Sequence, residues 1–296
     1  MDTTRVFQSA FSLLGQLVPE TMAGVAHRLF TEPRRIPATA RERPYRDEAT
    51  RSTITTPVGE VAVLTWSAAQ LPWEANAPTR GTVLLMHGWQ GRGSQLCAFV
   101  DPLLAHGFRV VAFDGPGHGD SPGRYADALI FSIALRAVAE ALGDVRAVIA
   151  HSMGGAATNV AVGDGLDVDA VVLLAPPLSA ETVTEDFADA LRLTSRTRRS
   201  LRRRLRQHFH TYAWQRLGPV ERAAIHEKVA ALVVHDEDDE EVPFVRGEAL
   251  AATWPGAQLH ITSGLGHTKI LREAGVVATV VAFVDAQVAT TRSVGH

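Results

Sequence analysis

The 296-residue chain holds one cysteine, Cys97, which excludes an internal disulfide framework and any metal site built from several thiolates. Such scarcity fits a reducing cytoplasm, the expected location. Neither sign of charge dominates: 29 Lys and Arg stand against 32 Asp and Glu, and a net charge of −3 names no charged partner. No uncharged apolar run reaches the roughly 18 residues needed to span a bilayer, so no integral membrane segment is expected. Signal-peptide features are missing too. Asp2 stands where positive charge is wanted, and Gln16, Pro19 and Glu20 interrupt the first apolar stretch.

What is present is an ordinary globular composition, 46% hydrophobic and 21% charged, long enough for one large α/β domain or two smaller ones. Phe7, Ala10, Phe11, Leu14, Leu17 and Val18 follow helical spacing, and Met22, Val25, Ala26, Leu29 and Phe30 continue it. Two helices docking on the protein's own body are expected; a membrane-surface helix would want a basic polar face that this stretch lacks. Residues 31–52, with Pro33, Pro37 and Pro44, read as an extended connection. Strands over 52–56 and 60–66 form an expected edge hairpin, followed by a polar loop over 67–81.

Short apolar runs over 82–86, 109–113, 145–151, 169–174, 230–235 and 258–262 then alternate with helical segments over 94–106, 126–142 and 273–288. That alternation predicts an α/β fold, a doubly wound and mostly parallel sheet covered on both faces. Residues 176–229 break the rhythm, and Leu191, Leu201, Leu205, Phe209 and Trp214 suggest helices. The expected organisation is a helical segment and linker over 1–50, an α/β core over 51–175 and 230–296, and a helical cap over 176–229. Such a cap would lie over the strand ends, where open α/β sheets bind ligands.

One run ends abruptly on a serine with glycines behind it: Val148-Ile149-Ala150-His151-Ser152-Met153-Gly154-Gly155. Strand, sharp turn and helix is the context that holds a serine out at a sheet edge. Its strained backbone needs small neighbours two residues either side, here Ala150 and Gly154. A serine hydroxyl needs a base to take its proton and a carboxylate to orient that base. Asp239, three residues before Val242-Pro243 on the loop after a strand, is the chosen acid, with Asp236 in reserve. His267, in Ser263-Gly264-Leu265-Gly266-His267 after the next strand, is the chosen base.

Ser, Asp and His in that chain order make the sequence resemble an α/β-hydrolase of the serine esterase/lipase type. Ala150 to Gly155 resembles the family's nucleophile turn. Phe113 to Ser121 resembles its D-x-P-G-x-G-x-S loop, His235 to Pro243 its H-G-x-x-D-x-x-V-P acid loop, and Gly266-His267 its catalytic histidine. Two departures stand out: Ala150 replaces the first elbow glycine, and Asp236 the glycine of the acid loop. The resemblance implies an oxyanion hole from the amides of Met153 and Trp89, and substrate contacts at Gly88, Trp89 and His151. His87, His118 and His151 are the poorer bases.

The reading is a serine hydrolase cleaving a small-molecule carboxylic ester through an acyl-enzyme on Ser152, with no cofactor and no metal. Thioesterase, amidase, carbon–carbon bond hydrolase and perhydrolase chemistry stay open, as does a non-catalytic binding member of the fold. Eight arginines between residues 192 and 206 read as a solvated helix offset by neighbouring acids, or alternatively as an anion-attracting cap. Nucleic acid is not expected, because no aromatic stacking platform accompanies them. Oligomeric state stays open.

Overall fold

Continuous β-branched runs make the centre of an eight-stranded sheet. In this computed structural model, which describes residues 3–67, 79–216 and 228–294, the order is β1-β2-β4-β3-β5-β6-β7-β8. The strands are β1 Thr50–Thr56, β2 Gly59–Trp66, β3 Thr82–Met86, β4 Arg109–Phe113, β5 Val145–His151, β6 Ala170–Leu174, β7 Ala230–Asp236 and β8 Gln258–Thr262. β1 pairs antiparallel with β2, the expected edge hairpin, and β2 pairs antiparallel with β4; every other pairing is parallel. Of the expected polar loop, residues 68–78 lie outside the described residues.

Side chains of a strand alternate between faces, so each buried strand feeds two cores. Val83, Leu85, Ile149 and Val172 join one core, which the final helix Ala274–Val294 covers with Val276, Val280, Val284 and Val288. Leu84, Met86, Val148 and Val171 join the other, covered by α5 (Ala128–Leu142) through Phe131 and Leu135 and by α6 (Met153–Gly163) through Ala157 and Ala161. α5 begins where the Asp127 carboxylate accepts the Leu129 and Ile130 amides, and ends at Gly143, whose φ of 74° suits glycine.

The N-terminal helices α1 (Thr3–Leu17) and α2 (Pro19–Thr31) dock on the protein's own body. Phe11, Met22, Ala23 and Ala26 bury against Ala188 of α7 (Ala180–Ala190) and Leu201 and Leu205 of α8 (Ser195–Arg216). Residues 217–227, the end of the expected cap, and the side chains of Phe209 and Trp214 lie outside the described residues.

The connection over 31–52 is not extended throughout. It contains α3, Glu42–Glu48, in which Glu42 is buried against Arg92 and Ser94. Trp66 donates to the Tyr45 carbonyl at 2.8 Å, so tertiary partners hold a segment whose prolines argue against a helix. Among the described residues no helix is long and apolar enough to cross a membrane.

Candidate active site

Parallel strands end on one side of the sheet, which collects the loops after β3, β5, β7 and β8 at one edge. Ser152 sits between β5 and α6 at φ 51°, ψ −121°, a strained conformation for a residue with a side chain. Its amide donates to the Leu174 carbonyl at 2.9 Å. A Cβ at Gly154 would come within 2.5 Å of the His87 carbonyl and 2.9 Å of the Met86 carbonyl, so only glycine fits there. Ala150 is fully buried, and its methyl packs in the core without opening the turn.

His267 lies in a short helix, Gly266–Lys269, directly after β8, and its Nδ1 donates to Asp239 Oδ2 at 2.7 Å. The Asp239 Oδ1 atom accepts the Glu241 and Val242 amides at 2.8 and 2.9 Å. Burial alone would raise this carboxyl, but hydrogen bonds from His235, His267 and Val242 outweigh it and hold Asp239 well below the usual carboxylate range. With Nδ1 committed, Nε2 is the nitrogen of His267 left for proton transfer. Ser152 and His267 line one cavity of about 760 Å³, together with Trp89 and Met153. Among the described residues the Ser152 hydroxyl and the His267 ring share this wall without a hydrogen bond between them. Catalytic hydrogen bonds of this kind commonly tighten only with substrate bound.

Met153 opens α6, so its amide is one of the donors that a helix start leaves unpaired. In the loop after β3, the Gln90 amide goes to His118 Nε2 at 3.0 Å and the Gly91 amide to the Gly88 carbonyl at 3.1 Å. The Trp89 amide finds no acceptor among the described residues.

Gly88 and His151, expected as substrate contacts, are not among the residues lining this cavity. A Cβ at Gly88 would come 2.9 Å from Ser152 Cβ, so glycine there lets the loop close on the Ser152 turn. His151 is buried, donates from Nε2 to the His267 carbonyl at 3.0 Å, and its ring centroid lies 4.6 Å from that of His267. Burial pushes it down to about 3, so it is neutral and supports the loop that carries His267. His87 and His118 are likewise pushed down by burial, to about 4 and about 3. Both tie backbone together: His87 Nε2 accepts the Gly115 amide at 2.9 Å, and His118 Nε2 the Gln90 amide.

The D-x-P-G-x-G-x-S loop also proves structural, its Asp114 accepting the Gly93 and Asp120 amides at 2.7 and 2.8 Å. Asp236 has a role that the sequence did not disclose. Its Oδ1 accepts the Asp238 and Gly266 amides at 3.0 and 2.9 Å, and its Oδ2 the Thr262 hydroxyl and Leu265 amide at 2.7 and 3.0 Å. The carboxylate that departs from the family glycine thus clamps the acid loop to the histidine loop. His235, which opens the acid-loop motif but was given no role of its own, shares its Nε2–H between the Val242 carbonyl at 2.9 Å and Asp239 Oδ2 at 3.4 Å.

Among the described residues four arginines of α8 meet acids. Arg198 meets Asp189, Arg202 meets Glu185, and Arg203 and Arg204 meet Glu20; none lines the cavity. Among the described residues no group of three or more His, Cys, Asp or Glu is arranged to hold a metal ion.

Residues 83–280 match the alpha/beta hydrolase family, and the chain belongs to it. The dihydrolipoyllysine-residue acetyltransferase component of an acetoin cleaving system from Cupriavidus necator is 33% identical over 125 residues, 41% of this chain. The matched stretch spans 33% of that curated relative's length. Among solved structures, a Pyrococcus furiosus esterase is similar with a TM-score of 0.62 at 16% identity, covering 86% of this chain and 99% of that one. An esterase from Exiguobacterium antarcticum gives 0.57 at 16% identity over 79% and 99%. The thioesterase domain of the curacin biosynthetic pathway gives 0.54 at 18% identity over 80% and 99%. These likenesses establish the fold.

Proposed function

We propose that the protein is a serine hydrolase acting on carboxylic esters whose acyl part is apolar and carries no negative charge. The observation that carries this is the His267–Asp239 pair at 2.7 Å, its imidazole sharing a cavity wall with a serine held at φ 51°. His267 Nε2 takes the Ser152 proton as the hydroxyl oxygen attacks the carbonyl, and Asp239 stabilises the imidazolium that forms. The amides of Met153 and Trp89 hold the oxyanion. His267 then returns the proton to the leaving alcohol, and the same base activates water to release the acid. No cofactor enters this scheme.

Charge and shape of the cavity support the substrate class. Leu29, Phe30, Val183, Phe187 and Leu191 make an apolar wall, while five acids, Asp127, Asp186, Asp189, Glu240 and Glu241, and one arginine, Arg34, lie around it. Asp186 and Asp189 are paired with Arg246 and Arg198, whereas Glu240 and Glu241 are exposed. That lining favours neutral or cationic esters and disfavours a polyanionic acyl-CoA thioester. In this reading α7 and α8, completed by α1 and α2, form the cap over the cavity.

Fluorophosphonate labelling tests the nucleophile: the parent should label and Ser152→Ala should not. A p-nitrophenyl butyrate assay should show turnover, with an ester bearing a terminal carboxylate much the poorer substrate. An unlabelled parent protein would remove the serine hydrolase reading, and a preference for the anionic ester would remove the charge argument alone.

A further inference from the structure

We propose that the α1–α2 turn and one flank of α8 form a docking surface for an anionic lipid bilayer. Leu13, Leu14 and Leu17 of α1 and Val18 in the turn are exposed, Leu13 by 64% and Leu17 by 73%. Four exposed apolar side chains within six residues of chain are a patch that water penalises and a partner covers.

The neighbouring helix supplies what α1 and α2 lack. Thr194, just before α8, and Thr197 of α8 donate to the Gly15 carbonyl at 3.2 and 3.3 Å, and Ser200 donates to Glu20 at 2.6 Å, so α8 runs directly beside the turn. At 3.6 residues per turn its arginines spread from the α7 side to the outward side. Arg198 and Arg202 face the acids Asp189 and Glu185 of α7 and are neutralised there. Arg206, Arg199, Arg203 and Arg196 follow on the outward flank, opposite the buried Leu201 and Leu205. Of these only Arg203 meets an acid, Glu20, two residues beyond Val18; the other three are exposed without a carboxylate partner among the described residues.

Exposed apolar side chains on one element, with guanidinium groups that meet no carboxylate among the described residues on the neighbouring helix, match the boundary between acyl chains and phosphate headgroups. A second copy of this chain is the poorer occupant, because a two-fold contact through the patch would bring the same arginine flanks together. The inference does not depend on the chemistry at Ser152, although α2 also sends Leu29 and Phe30 to the cavity wall.

Sedimentation of the full chain with vesicles of phosphatidylcholine, alone or containing phosphatidylglycerol, tests it at low and high salt. Binding should require the anionic lipid and fall at high salt. Each basic residue near such a surface contributes about fivefold in partitioning, so Arg196→Gln, Arg199→Gln and Arg206→Gln together should weaken binding about a hundredfold. Leu14→Ser with Leu17→Ser should weaken it at least tenfold, with the thermal transition unchanged as the control for folding. No sedimentation with anionic vesicles overturns the proposal, as does binding that both sets of substitutions leave intact. A monomer–dimer equilibrium lost in the leucine variant, without vesicle binding, would make the patch a self-association face instead.

Discussion

Asp236→Asn separates two acids that stand three residues apart, the expected orienting acid Asp239 and its reserve Asp236. The native carboxylate accepts four hydrogen bonds, two at each oxygen, from Asp238, Gly266, Thr262 and Leu265. Asparagine keeps the shape but turns one oxygen into a donor. In its better orientation the Thr262 hydroxyl rotates to accept from the new amide, and the Leu265 N–H loses its partner. A stranded buried donor costs about 1–3 kcal/mol, and losing the charge on the remaining bonds adds to it, so a destabilisation of about 2–4 kcal/mol is expected. Urea unfolding should show a lower midpoint at unchanged slope. Because Leu265 and Gly266 lead into His267, a shift of about 1 Å there should lower kcat by about a hundredfold. Acidification gives the sign. Burial alone would raise the Asp236 carboxyl, but its four donors hold it below the ordinary value, so its stabilisation is present above the unfolded pKa and lost as pH falls through the folded one. The gap between parent and variant should therefore close on the acid side. Asp239→Asn should behave differently, losing about 10⁴ in kcat by presenting the wrong tautomer of His267. An Asp236→Asn variant with parental kcat and a midpoint shift worth under about 0.5 kcal/mol would refute the clamp.

Two further substitutions probe the frame. Glu42→Ala leaves the Arg92 guanidinium buried beside Ser94 without its acid and should cost about 3–5 kcal/mol in urea unfolding, with much of the loss recovered in Glu42→Ala/Arg92→Met. Gly154→Ala drives a methyl to 2.5 Å from the His87 carbonyl, backbone that cannot swing away. It should cost about 1–3 kcal/mol and abolish fluorophosphonate labelling, whereas Gly24→Ala, with nothing within 4 Å, should not destabilise.

The central strands were legible because burial on both faces leaves one signal, a continuous β-branched run, that little else produces. The Ser152 turn was legible because strand, turn and helix follow one another in the chain with small residues at Ala150 and Gly154, although the atoms that require Gly154 to be small, the His87 and Met86 carbonyls, lie at the end of the neighbouring strand β3. His267 and Asp239 stand out similarly, each on the loop after a strand. Asp236 is the opposite case. Seen as a departure from a family glycine it reads as a defect, and only the fold brings Thr262, Leu265 and Gly266 to its oxygens.

Long-range pairing explains the other omissions. Glu42 lies in a proline-rich stretch that reads as extended, and it is helical because Arg92, fifty residues on, needs an acid inside the protein. The basic face missing from the N-terminal helices is of the same kind. The arginines lie on α8, some 180 residues later, which joins α1 and α2 through Gly15 and Glu20. A sequence motif records what a residue needs from its neighbours in the chain. What it receives from distant segments depends on the sheet and helices first bringing them together.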